Sequence, residues 1–205
     1  MSRILAVAVS YIFQPLIMPT LIIWVMLLKV PQLVRQDWSH NWFLLLMVFL
    51  TTFVVPLLSI FVMKLTKTIS SFELVTSEER VFPFSLVSLY YMVATYFFYL
   101  KLDVKPILIL ALATITICVV LLTSITFFWK ISAHMIGVSG LVGIFTALSL
   151  KFPGQSMLHF VLLGIIGAGA IGTSRLYLNI HRPIDILSGF ILGFGICFGA
   201  FYYLI

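Results

Sequence analysis

Within twelve residues, Ser174 to Asp185, the chain reads SRLYLNIHRPID and sets a serine, two arginines, a histidine and an aspartate side by side. Pro183 suits the first turn of a helix, so Asp185 falls in that turn and one helical turn beyond His181. A carboxylate beside an imidazole fixes its tautomer and stabilises its cation. A neutral, oriented histidine is a competent nucleophile or base near pH 7. Arg175 offers a two-pronged fork that matches phosphate oxygens. A second stretch, KISAH at 130–134, opens another apolar run. Ser132 stands there as a helix cap, the free N–H groups of the first turn favour an anion, and His134 is placed to protonate a leaving oxygen. Together these parts point to phosphoryl transfer through a phosphohistidine. Metal catalysis is not expected: of six acids only Glu78 and Glu79 adjoin, so no carboxylate cage is visible. No cofactor is called for.

Long apolar segments must position these groups. The chain is 62% hydrophobic and only 9% charged, with a mean hydropathy of +1.22. Soluble domains carry about 25% charged residues, so the expected class is an all-α integral membrane protein with the bilayer as solvent. Spans are predicted at about 4–28, 42–63, 81–100, 107–129, 134–150, 157–174 and 184–205, a bundle of six to seven helices. Pro15 and Pro19 should kink the first, and the short fifth and sixth leave room for a partly re-entrant segment. The N-terminal run lacks a small-residue cleavage site and reads as a retained span. All 12 glycines fall at or after Gly137, which predicts a tightly packed core from the last three spans and wall helices from the rest. Cys118 and Cys197 read as small buried hydrophobes. The net charge is +6, which suits anionic headgroups or a phosphate substrate; no basic run lines a groove for nucleic acid. Loops after even-numbered spans share one side, which brings Arg80, His134, Arg175, His181 and Asp185 together.

SRLYLNIHRPID resembles the third motif of the type-2 phosphatidic acid phosphatase family, S-R-x5-H-x3-D, at every fixed position. ISAH resembles the second motif, P-S-G-H, with Ile131 for Pro and Ala133 for Gly. The first motif, K-x6-R-P, has its nearest counterpart in EERVFP, where Arg80 and Pro83 are three apart and Glu73 stands where the lysine would. The resemblance covers about residues 64–205 and implies one membrane domain over 1–205, with a phosphatase-like core at 64–205 and additional helices at 1–63. It implies His181 as nucleophile, Asp185 as its orienting carboxylate and His134 as acid, then base. Arg175, Ser132, Ser174 and Arg80 would hold the phosphate, with Lys130 as a helper. Such enzymes, like the related vanadium haloperoxidases, use no divalent metal. The implied substrate is a membrane lipid phosphate in a bacterial inner membrane. The resemblance leans toward an extracytoplasmic site, while the basic residues apart from Arg80 and Arg175 divide five against five between the two sides and set no orientation. The altered first and second motifs leave an alternative open: a catalytically impaired protein that binds anionic lipid or serves a membrane partner.

Overall fold

Prolines stand in the first turn of several helices. The computed structural model describes residues 2–30, 38–70, 77–102, 104–155 and 157–205. Helix α1 (Arg3–Ile12) stops ahead of Pro15, a short 3-10 turn covers Pro15–Ile17, and α2 (Met18–Lys29) follows. Pro15 has no N–H for the preceding turn and its ring clashes there, so the predicted kink becomes a clear break. Helices α3 (Trp38–Phe49) and α4 (Val55–Leu65) are joined by a wider π turn, Leu50–Val54. Pro56 has no N–H to give the carbonyl of Thr52, and the Tyr91 hydroxyl donates to that oxygen at 3.0 Å. Tyr91 belongs to α5 (Ser77–Lys101), which runs antiparallel to α6 (Pro106–Thr126). Hydroxyl pairs, Ser88 with Thr123 at 2.7 Å and Thr95 with Thr116 at 2.8 Å, join these two helices. Such pairs satisfy polar groups where no water is at hand.

Helices α7 (Ala133–Lys151), α8 (Leu158–Tyr177) and α9 (Pro183–Leu204) complete the bundle. Seven helical stretches are long and apolar enough to span a membrane, α1–α2 and α3–α4 each counting as one. The chain is all-helical, as expected, with no strand among the described residues. The expectation of a re-entrant segment is not met: α7 and α8 are unbroken helices of 19 and 20 residues. At a rise of about 1.5 Å per residue each reaches nearly across a hydrocarbon core.

The glycine-rich helices pack closely, but the expectation that they alone form the core is not met. Helices α2 and α6 bring Ile22, Ile23, Met26, Leu108 and Ala111 into it, and the α1–α2 and α6 spans are more buried than α9. A Cβ built on Gly143 would lie 2.8 Å from the Phe194 carbonyl oxygen and 2.9 Å from the Phe198 nitrogen, so α7 meets the α9 backbone directly there. On the other side, a Cβ on Gly193 would collide with Ser139 Oγ and the Ile136 carbonyl oxygen. Helix α8 flanks α7, and α1 packs on α8. The starts of α5, α7 and α9, the ends of α6 and α8, and the N-terminal helix thus gather at one end of the bundle.

Candidate active site

The motif turn is built by a helix ending and another beginning within six residues. Helix α8 closes with two overlapping bonds, Ile180 N–H to the Arg175 carbonyl at 3.2 Å and Asn179 N–H to the Leu176 carbonyl at 3.0 Å. This ending needs a left-handed residue, and Asn179 supplies it at φ 54°. Arg175 is thereby held in the last turn of α8, while His181 follows in the turn. Arg182 then caps α9 with Pro183 at its first position. Arg175 and His181 are both buried, at 6% and 7% exposure.

Asp185 Oδ2 accepts the Arg182 backbone N–H at 2.8 Å, the return bond of a capped helix start. His181 Nδ1 lies 3.9 Å from the same oxygen, too far for a hydrogen bond but close enough for strong attraction once the ring is charged. That nitrogen has no hydrogen-bond partner among the described residues. Asp185 Oδ1 accepts the Trp129 indole N–H at 2.7 Å, a contact that nothing in the motif spacing signals. The Arg182 guanidinium is 3.5 Å from Oδ1, with its own side chain largely in the open.

The segment after α6 is tied to the same place. Ser132 N–H donates to the Asp185 carbonyl at 3.1 Å, and an Arg80 guanidinium nitrogen donates to the Ile131 carbonyl at 3.4 Å. Arg80 is 3% exposed, so the departed first motif still delivers a buried cation to this end of the bundle. Ser132 occupies the N-cap of α7 but makes no side-chain cap bond. Its fully buried hydroxyl has no partner among the described residues.

Electrostatics follow from this crowding. The His181 imidazole is pushed down to about 3, first by burial and then by the charges of Arg80, Arg175 and Lys130, with Asp185 pulling the other way. His181 is therefore neutral around pH 7. Lys130 is also shifted down, by partial burial and by Arg80 and Arg175. Among the described residues no group of three His, Cys, Asp or Glu side chains is arranged to hold a metal ion.

His134 stands in the first turn of α7, within electrostatic reach of Arg175, His181 and Arg80. Its Nε2 lies 3.2 Å from the Ser10 carbonyl oxygen of α1. A carbonyl only accepts, so Nε2 carries the proton. Ser174 sits differently from the expected phosphate ligand. Its hydroxyl donates to the Ala6 carbonyl at 2.6 Å and pairs with Ser10 Oγ at 3.0 Å, both in α1. Of the residues singled out in the sequence, Arg80, Ser132, His134, Arg175, His181 and Asp185 are brought together, while Ser174 ties α8 to α1. Trp129 and Ser10 were missed. Trp129 directly precedes KISAH, but a tryptophan at a membrane edge ordinarily reads as an interfacial anchor.

Residues 126–205 match the family model of the PAP2 superfamily. The likeness to type-2 phosphatidic acid phosphatases is thus borne out over the segment that carries the second and third motifs, and it indicates phosphatase chemistry on phosphate esters. Arg80 lies outside the matched segment. No curated protein and no solved structure matches the chain.

Proposed function

Taking the PAP2 match over residues 126–205 as premise, we propose that this membrane protein hydrolyses or transfers the phosphate of a lipid phosphate monoester through a phosphohistidine. The observation that carries this reading is one buried cluster. A neutral His181 faces an orienting carboxylate, flanked by Arg80, Arg175 and Lys130, at the end of a membrane bundle. With the Nδ1 proton turned toward Asp185, the lone pair of His181 is on Nε2. That nitrogen attacks phosphorus as the bond to the lipid oxygen breaks. His134 takes up a second proton, on Nδ1, together with the anionic phosphate, while its Nε2–H stays on the Ser10 carbonyl. The departing alkoxide takes the Nδ1 proton, and the neutral imidazole left behind then draws a proton from water at Nδ1 as the water attacks the phosphohistidine and frees phosphate and His181. The ring gains positive charge in the first step, and Asp185 stabilises it across the 3.9 Å gap. Ser132 Oγ, the first-turn N–H groups of α7 and the two arginines hold the phosphate oxygens.

The lipid enters sideways, its tails between helices and its phosphate at the loop end. Residues 64–205 form the phosphatase-like core, and α1 contributes the Ser10 contact to His134 from outside it. The site faces the extracytoplasmic side of a bacterial inner membrane. Purified protein should release phosphate from a lipid phosphate without added metal, and vanadate should inhibit it. His181→Ala should abolish turnover; a variant that keeps wild-type turnover sinks the mechanism. The altered motifs favour one competing reading, an impaired lipid-binding protein. It would show lipid-phosphate binding with no turnover across phosphatidate, phosphoglycerol-lipid and polyprenyl phosphate substrates.

A further inference from the structure

We infer that Trp129 is a positioning residue for the Asp185–His181 pair, an inference that rests on the phosphohistidine reading. Asp185 is 2% exposed, and its two oxygens have different holders. The Arg182 backbone N–H pins Oδ2. That bond alone leaves the carboxylate free to swing about its Cβ–Cγ axis, because terminal torsions of this kind are broad. The indole N–H at 2.7 Å from Oδ1 fixes the second oxygen and hence the plane of the group. The Arg182 guanidinium does not substitute for it: it is longer at 3.5 Å, and its side chain is 74% exposed and therefore screened.

The plane matters because of the gap it controls. His181 Nδ1 stands 3.9 Å from Oδ2 and has no hydrogen-bond partner among the described residues. A small rotation of the carboxylate decides whether the gap closes when the phosphorylated ring becomes cationic. The backbone supports the same clamp, since Ser132 N–H meets the Asp185 carbonyl at 3.1 Å. The connection between α6 and α7 therefore grips the first turn of α9 twice, once by backbone and once by indole. A tryptophan serving only as a headgroup anchor would point its N–H to the interface, and this one points to a buried carboxylate.

Turnover of a lipid phosphate by the full-length protein in detergent tests the inference. Trp129→Phe removes the donor and should lower kcat about 10- to 100-fold, the range seen when outer hydrogen-bond partners of site ligands are lost, with KM held within about twofold. The isosteric benzothiophene analogue at position 129, which keeps the ring shape and lacks the N–H, should match Trp129→Phe and covers the case of a misfolded phenylalanine variant. Adding Trp129→Phe to Asp185→Asn should cost less than about twofold more, because the bond's target is already altered. Wild-type kcat in both donor-free proteins, with His181→Ala inactive, overturns the inference and leaves the mechanism standing. Fully multiplicative losses in the double variant also overturn it, since they mark packing alone. Undiminished turnover by His181→Ala brings down the mechanism and the inference together.

Discussion

The Nε2 of His134 lies 3.2 Å from the carbonyl oxygen of Ser10, so the proposed acid is oriented by a helix outside the matched segment. The Ser174 hydroxyl holds that helix in place through Ala6 and Ser10. Ser174→Ala should therefore lower kcat about fivefold, the worth of roughly one hydrogen bond, and leave KM unchanged. Ser174→Thr should recover part of the loss by keeping the hydroxyl. A phosphate ligand at this position would behave otherwise, raising KM and weakening vanadate inhibition. Steady-state kinetics on the two variants separates these roles.

The charge around His181 makes a second measurable claim. Its folded value of about 3 lies below the unfolded value of 6.5, so the unfolded chain binds the extra proton first as pH falls. The sign is then fixed: His181 contributes nothing to pH dependence above about 6.5 and destabilises the fold progressively between about 6.5 and 3. In activity, the neutral nucleophile persists well into acid. Arg80 is the largest charge acting on it, after burial. Arg80→Gln should move the acid limb of kcat/KM to higher pH, besides lowering the rate about 100-fold. Comparing both proteins on one substrate cancels the substrate's own ionisation. An acid limb at the same pH in both would show that Arg80 does not act on His181.

Much of this was legible because it is local. Apolar length alone reveals the spans, and a fixed spacing places Arg175, His181 and Asp185 around one helix junction. Glycine crowding likewise foretold close packing among the last three spans, and α7 and α9 do touch, at Gly143 and Gly193. The unread parts are contacts between residues far apart in the chain. Trp129 finds Asp185 across 56 positions, Ser10 finds His134 across 124, and Ser174 turns to Ala6 across 168. Each depends on how helix ends converge, which no periodicity encodes. The π turn was missed for a related reason: Pro56 marks a disturbed helix, but the Tyr91 hydroxyl that satisfies Thr52 comes from another helix.

Glycine positions offer a test of how the core holds the site. Gly143→Ala would press a methyl onto the α9 backbone, where neither partner is a flexible side-chain end. Overpacking of this kind costs about 1–3 kcal/mol. Because α7 carries His134 and α9 carries Asp185, lost stability should come with lost activity. Gly195→Ala and Gly199→Ala meet open space and should be neutral, or stabilising by about 0.5–1 kcal/mol through helix propensity. Thermal unfolding in detergent, run beside turnover, distinguishes the two sets. Equal behaviour of Gly143→Ala and Gly195→Ala would contradict the close α7–α9 contact.

Ser132 should separate stability from function most cleanly. Its hydroxyl is fully buried and without a partner among the described residues, although it sits where a helix cap would ordinarily bond. A buried polar group in that condition costs free energy in the unliganded protein. Removing it by Ser132→Ala should therefore leave thermal stability unchanged or slightly raised, whereas loss of an ordinary cap costs about 1 kcal/mol. If the hydroxyl donates to a phosphate oxygen, the same change should weaken vanadate inhibition and lower kcat/KM about 10-fold or more, as expected for a hydrogen bond to a charged group. Stability and inhibition measured on the one variant decide it. A destabilised protein with unaltered vanadate inhibition would return Ser132 to a purely structural role.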